Sequence, residues 1–247
     1  MKTRTPVSDR LAPGDAAGAE TLAIMAAAPN YNAWQYEVIA PWIGKRVLEI
    51  GSGIGNISAH ILSEPRELAI LTDTDAWYRG ELAKRMESRP EVRIDSLTLP
   101  DPSAPARFAA DRLDTAVALN VVEHIEDDVG TLATLRGIVG HDGRVVILVP
   151  AMDELYGTLD KELGHFRRYT RRRLRDVFES AGLRVVHMQW FNRAGTLGWW
   201  FNARVRLARR IPADQLKLFD SLVPMLRFER FLPLPFGQSL IAVGSPR

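Results

Sequence analysis

Residues 47–56 read VLEIGSGIGN. A short apolar run, Val47, Leu48 and Ile50, carries one acid, Glu49. It ends in glycines at 51, 53 and 55, and apolar residues at helical spacing (Ile54, Ile57, Ile61) follow at once. The pattern predicts a strand, a tight turn and a helix over about 54–63. Glycines let the backbone turn sharply and let a ligand approach main-chain atoms. A helix start offers unpaired N–H groups and a positive dipole end. An apolar strand feeding such a turn builds a nucleotide-sized site at the carboxyl ends of an open α/β sheet.

The glycine spacing narrows the ligand. A dinucleotide turn follows G-x-G-x-x-G, whose third glycine lets a helix pack close under the pyrophosphate. Here Asn56 holds the third-glycine place. Glu49 also puts a carboxylate beside the loop, which suits a cationic amino-acid end better than a diphosphate. G-x-G-x-G after a strand, with an acid two residues before the first glycine, resembles motif I of the class I S-adenosylmethionine (SAM) methyltransferases. The plain alternative is an ordinary strand-to-helix turn.

Composition sets the bounds. The chain has 247 residues, which suits one large α/β domain with insertions. Its 46% hydrophobic and 25% charged content is that of a soluble globule. Without cysteine there is neither a disulfide framework nor a thiolate metal site. No signal pattern or long apolar run is visible, so a cytoplasmic location is expected. A net charge of +2 does not argue for nucleic acid.

Strands and helices alternate along the chain. Residues 1–20 read as a flexible N-terminal tail, and 21–247 as a single domain. Pro29 and Asn30 divide the first helical stretch. Strands are expected at 46–50, 68–72, 92–94, 113–119, 144–149, 184–190 and 239–243. Helices are expected near 76–88 and 127–139, and from Thr170 to Gly182, with Thr170 as cap and Gly182 as stop. Residues 100–105 read as a Pro-rich loop. Such alternation implies a mostly parallel sheet covered on both faces. Two helical patterns at 194–232 break it and read as a cap inserted between strands six and seven.

From about residue 30 to 245 the chain is similar to class I SAM methyltransferases, and within them to a bacterial small-molecule branch. The resemblance rests on YNAWQYEVI before strand one, NVVEHIEDD after strand four, LYGTLDKELGHFRRYT, and the terminal PFGQSLIAVG. It implies a Rossmann-like seven-stranded sheet whose last strand is antiparallel. It implies SAM as cofactor and S-adenosylhomocysteine as product. Glu49, Gly51, Gly53 and Asn56 then fall at the methionine end of SAM. Asp73, 20 residues after Gly53, is placed to hold both ribose hydroxyls, since a carboxylate has two oxygens at suitable separation. Asp75 competes for that role, and either acid also suits a helix N-cap. The adenine position falls at Thr98 and Leu99 instead of an acid, with Asp95 as an alternative. Asn120 and Val121 fall where the family contacts the SAM amino group, though Asn120 equally suits a turn cap. Tyr31 and Trp34 match a lid near the sulfonium, or else pack a helix onto the sheet.

Methyl transfer is an in-line displacement, so a base is needed only if the acceptor must lose a proton. His124 and His165 are the candidate bases. Tyr156, His165, Arg168 and Tyr169, with Arg167, form a candidate acceptor loop for an acidic or phosphorylated group, or else a solvated basic loop. In the cap, Leu197, Trp200, Phe201, Ala208 and Ile211 make one stripe that includes Arg204. That stripe fits a membrane surface, a pocket cover, a subunit contact, or plain packing on its own domain.

The expected function is methyl transfer from SAM to an O, N or C nucleophile of a small-molecule acceptor. That acceptor is expected among bacterial secondary metabolites, sugars or lipid-linked compounds. No metal or nucleic-acid partner is expected, since NVVEH stands where a base-amine methylase carries Asn/Asp-Pro-Pro-aromatic. No stable membrane insertion is expected, peripheral contact stays open, and the chain is expected to be a monomer or homodimer. The alternatives are a non-catalytic scaffold that binds a partner and an NAD-dependent dehydrogenase.

Overall fold

The computed structural model describes residues 22–208, 213–232 and 234–247. The expected tail at 1–20 and Ile211 of the cap stripe lie outside these residues. Seven strands form one sheet: β1 (Arg46–Ile50), β2 (Leu68–Thr72), β3 (Val92–Asp95), β4 (Thr115–Leu119), β5 (Arg144–Pro150), β6 (Leu183–Phe191) and β7 (Ser239–Pro246). Their order is β3-β2-β1-β4-β5-β7-β6. Strands β1 to β5 pair in parallel, and β7 runs antiparallel between β5 and β6.

The continuous apolar runs of the central strands follow from burial on both faces. Side chains alternate across a strand, so Leu48, Ala116, Val145 and Ile147 face one layer while Val47, Val117, Val146 and Leu148 face the other. Leu132, Leu135 and Phe178 cover the first face from helices Asp128–Val139 and Arg171–Ser180. Trp34, Ile39 and Ile61 cover the second.

Local signals act as expected at several ends. Pro29 opens helix Pro29–Ile39 at its first turn, where a missing N–H is harmless. The Thr170 hydroxyl accepts from the Arg173 N–H at 3.1 Å and caps its helix. Two expectations change. The helix at 54–63 shrinks to Ser58–Ile61, because Gly53 (φ +53°) and Gly55 (φ +83°) turn left-handed and leave 53–57 as turns. The loop at 100–105 gives way to a short helix, Ala104–Phe108, with Pro105 in its first turn.

The sheet positions the site through its connectivity. β1 lies between β2 and β4, so the chain leaves β1 toward one edge and returns at β4 to build the other half. A crevice opens where strand order reverses, at the carboxyl ends. The insertion between β6 and β7 closes over it with helix Arg193–Trp200, a π-helical segment Phe201–Val205, helix Ala213–Leu226 and a 3-10 segment Arg227–Phe231. One buried acid anchors the insertion to helix Pro29–Ile39 and another ties its two ends together. Asp220 accepts the Tyr31 backbone N–H at 2.8 Å, and Glu229 accepts that of Arg193 at 2.7 Å.

Gly182 ends helix Arg171–Ser180 at φ +77°, where a Cβ would also lie 2.1 Å from the Arg136 guanidinium. Gly182→Ala is expected to destabilise the fold by about 1–2 kcal/mol from the left-handed backbone alone. Calorimetry should show the melting point lowered by about 2–4 °C per kcal/mol. An unchanged melting point would show that this turn relaxes freely.

Candidate functional site

A cavity of about 1050 Å³ runs from the glycine loop to the underside of the cap. That is at the top of the range for ligand pockets, enough for a nucleoside and an acceptor together.

The first end is built by the turn after β1. Gly51 takes φ +66°, and a Cβ there would meet the Val121 side chain at 2.7 Å. Only glycine lets this turn close against the segment that follows β4. Asp73, at the end of β2, accepts the Gly53 N–H at 3.0 Å and the Asp75 N–H at 2.9 Å. Burial raises the Asp73 pKa, against those two hydrogen bonds. Asp75 is the N-cap of helix Ala76–Arg85 through the Trp77 N–H at 2.8 Å. Glu49 is buried and accepts from the hydroxyls of Ser58 and Ser52. Burial pushes its pKa up to about 7, offset in part by those hydroxyls and reinforced by the charge of Asp73. Asn120 sits at φ +54° at the end of β4. Leu22 and Met25, from a helical stretch at 22–26, line the same end, and Asn56 donates to the Leu22 carbonyl at 3.2 Å.

The second end is organised by Asp160, which is fully buried. Its carboxylate meets His165 Nδ1 at 2.9 Å and accepts from Arg168 Nε at 2.8 Å, the Gly157 N–H at 3.0 Å and Trp199 Nε1 at 3.4 Å. Burial alone would raise the Asp160 pKa. The His165 bond and the Arg168 charge outweigh it and hold the carboxyl below its ordinary value. Arg168 also lies over the Trp199 ring at 4.8 Å and donates to the Ala151 carbonyl. The His124 and His165 rings meet edge to face at 4.7 Å. Beside them Glu123 is fully buried, with no hydrogen-bond partner for either carboxylate oxygen. Burial pushes its pKa up to about 8, against the attraction of Arg168. Glu123, His124 and His165 offer ligand atoms within 4.8 Å of one another, spacing that a divalent cation can bridge with adjustment. The Arg168 charge near Glu123 already occupies the electrostatic place of such a cation.

Most residues singled out in the sequence line this cavity: Tyr31, Glu49, Gly51, Gly53, Asn56, Asp73, Thr98, Leu99, Asn120, Val121, His124, His165 and Arg168. Three do not. Trp34 is buried under the sheet, its ring 4.5 Å from that of Phe191. Tyr156 lies behind the His165 loop and donates to the His165 carbonyl at 2.8 Å. Tyr169 is fully buried and donates to Asp128 at 3.0 Å, where Arg167 also pairs. Asp95 does not reach the cavity and faces Arg107 at 3.4 Å. The sequence reading missed Asp160, Glu123 and Trp199. The one available signal for Asp160 was an acid five residues before His165 in a segment already rich in arginine.

Residues 21–188 match the family model of the methyltransferase domain. The chain belongs to that family, the class I SAM-dependent methyltransferases. No curated protein gives a significant match. Among solved structures, one similar chain comes from the complex of the Haloferax volcanii Trm112 methyltransferase activator with a putative methyltransferase. It is 14% identical, with 96% of this chain and 100% of that one covered, at TM-score 0.62. Geranyl diphosphate methyltransferase in complex with SAM is 12% identical, with 98% and 94% covered, at 0.62. Magnesium protoporphyrin IX methyltransferase of Synechocystis PCC 6803 with bound SAH is 11% identical, with 92% and 86% covered, at 0.55. Among the described residues no helix is long and apolar enough to cross a membrane.

The donor set at the glycine end fits SAM. Two carboxylates, Glu49 and Asp73, line it, which suits an ammonium and a ribose diol and disfavours a diphosphate.

Glu123 gives a pH-dependent prediction. Between the ordinary carboxyl value of 4.5 and about 8 the unfolded chain releases this proton and the folded chain keeps it. Its contribution to stability is therefore lost as pH rises through that window. Glu123→Gln keeps the shape without titrating. Its melting point relative to wild type is expected to climb from pH 5 to pH 8.5. A difference constant with pH would show that Glu123 titrates normally in the fold.

Proposed function

We propose that this chain methylates an oxygen or nitrogen of a small-molecule acceptor, with His165 as general base. The observation that carries this reading is the Asp160–His165 pair on the same cavity as the glycine loop. SAM supplies an activated methyl group, whose transfer leaves a neutral thioether. Glu49 and the Gly51–Gly53 turn hold its amino-acid end, and Asp73 holds its ribose.

Asp160 accepts the proton of His165 Nδ1, so the second ring nitrogen keeps its lone pair. That nitrogen takes the proton that the acceptor's nucleophile loses as its bond to the methyl carbon forms. The pair generates an imidazolium beside a fixed carboxylate, which stabilises the charge. Arg168 keeps Asp160 ionised, and Trp199 restricts water from the cap side. Positioning supplies the rest of the acceleration. The acceptor is expected among bacterial biosynthetic intermediates.

Two measurements test this reading. Asp73→Ala should weaken SAM binding in calorimetry by about 1–3 kcal/mol, the loss of hydrogen bonds to a charged group. Unchanged affinity would transfer the ribose to Asp75, and no binding of SAM by folded wild type would favour the scaffold reading. His165→Gln should lower kcat by about 10²- to 10⁴-fold with SAM affinity unchanged. Turnover should also withstand EDTA. A loss restored by a divalent ion would instead make Glu123, His124 and His165 its ligands.

A further inference from the structure

The cap has two unlike faces. At 3.6 residues per turn, Gly195, Gly198, Trp199 and Asn202 fall on one side of helix Arg193–Trp200 and its continuation, and all four line the cavity. Leu197, Trp200 and Phe201 fall on the other side, 74%, 48% and 47% exposed. The second cap helix repeats the division. Gln215, Leu216 and Phe219 line the cavity, while Leu218, Leu222 and Met225 are exposed at i, i+4 and i+7. Asn202 and Gln215 join the two helices by a 2.8 Å hydrogen bond on the cavity side. Among the described residues, 12 of the 14 exposed large hydrophobics lie within 197–234. Exposed apolar side chains scattered singly are ordinary, but this concentration marks a contact surface.

Charge identifies what it contacts. Residues 193–234 hold eight basic and three acidic residues, a net +5 against +2 for the whole chain. Two of the three acids, Asp220 and Glu229, are buried and face inward. Arg204, Arg206, Lys217 and Arg230 remain at the surface among the apolar side chains. Aromatic and aliphatic residues with arginines between them, on a helix too polar to span, form an interfacial pattern. A second copy would set the exposed Arg204, Arg206, Lys217 and Arg230 against the same four cations. The chain's own first 20 residues offer only Met1, Val7 and Leu11 as large apolar side chains, too few to cover it.

We propose that the outer face of the cap docks on an anionic lipid surface. The cavity then lies directly beneath the docked helices. Resting on the methyl-transfer reading above, this makes the acceptor a membrane-borne amphiphile whose polar end reaches His165. The docking itself is independent of catalysis.

The full chain should be sedimented with vesicles of phosphatidylcholine alone and with one third phosphatidylglycerol. Partition is expected onto the anionic vesicles, at least tenfold above the neutral ones, and weaker at high salt. Trp200→Ser with Phe201→Ser should lower that partition at least tenfold while melting point and SAM affinity stay at wild-type values. Trp200→Phe should remove part of the fluorescence quenching produced by brominated lipid. Equal binding of the Ser variant, no partition onto anionic vesicles, or a stable dimer that hides Trp200 would overturn the proposal. So would a protein partner that shields Trp200 in place of lipid. SAM affinity is read separately, so loss of docking and loss of the methyltransferase reading are told apart.

Discussion

One buried carboxylate joins parts of this protein that lie far apart in sequence. Asp160 collects a histidine, an arginine, a backbone N–H and an indole on a single side chain with no solvent contact. A buried charge is tolerated only when paired and hydrogen-bonded, so these partners are obligatory rather than decorative. Through them the loop after β5 is fixed to the cap inserted after β6. Gly157 brings the loop close enough for this, since a Cβ there would sit 2.8 Å from that of Ala203. The end of the cavity under the cap thus depends on one ion-pair hub, whereas the glycine end depends on backbone geometry.

The two ends differ for a physical reason. The glycine end is built from main-chain turns and strand-end carboxylates, which the parallel sheet places where strand order reverses. At the end under the cap no strand supplies the groups: Asp160 and Trp199 come from the short helices Thr158–Glu162 and Arg193–Trp200, and His165 and Arg168 from the loop after the first of these. Long side chains from a loop and an insertion must be held by one another. Glu123 shows the cost of this arrangement: it is buried beside Arg168 yet satisfied by no hydrogen bond, and its carboxyl therefore holds its proton near neutrality.

That difference decides what was legible in the sequence. Strands β1, β2 and β5 announced themselves by apolar runs ending in Gly51, Asp73 and Pro150, because burial on both faces leaves no other composition. The Gly51–Gly53 turn and Asp73 were legible for the same local reason. The helix expected at 54–63 failed because periodicity does not register the left-handed turns at Gly53 and Gly55. Asp160 was illegible because its partners stand 3, 5, 8 and 39 residues away. Tyr169, Tyr156 and Trp34 misled because an aromatic in a conspicuous motif looks the same whether it meets a ligand or supports the loop that does.

The cap carries apolar side chains on both of its sides. A surface helix ordinarily turns its apolar stripe to the core and its polar face to water. Here Asn202 and Gln215 point inward to the cavity, while Leu197, Phe201, Leu218 and Met225 point outward. Helix Ala213–Leu226 also packs Leu216, Phe219, Val223 and Leu226 onto the core beside Tyr31, where Asp220 holds the Tyr31 N–H, so the outward residues form a second apolar stripe. The inner side, which carries Trp199, Leu216 and Phe219 beside Asn202 and Gln215, serves the cavity. On the docking proposal the outer side meets a surface outside the chain, and the exposed Arg204, Arg206 and Arg230 suit an anionic one.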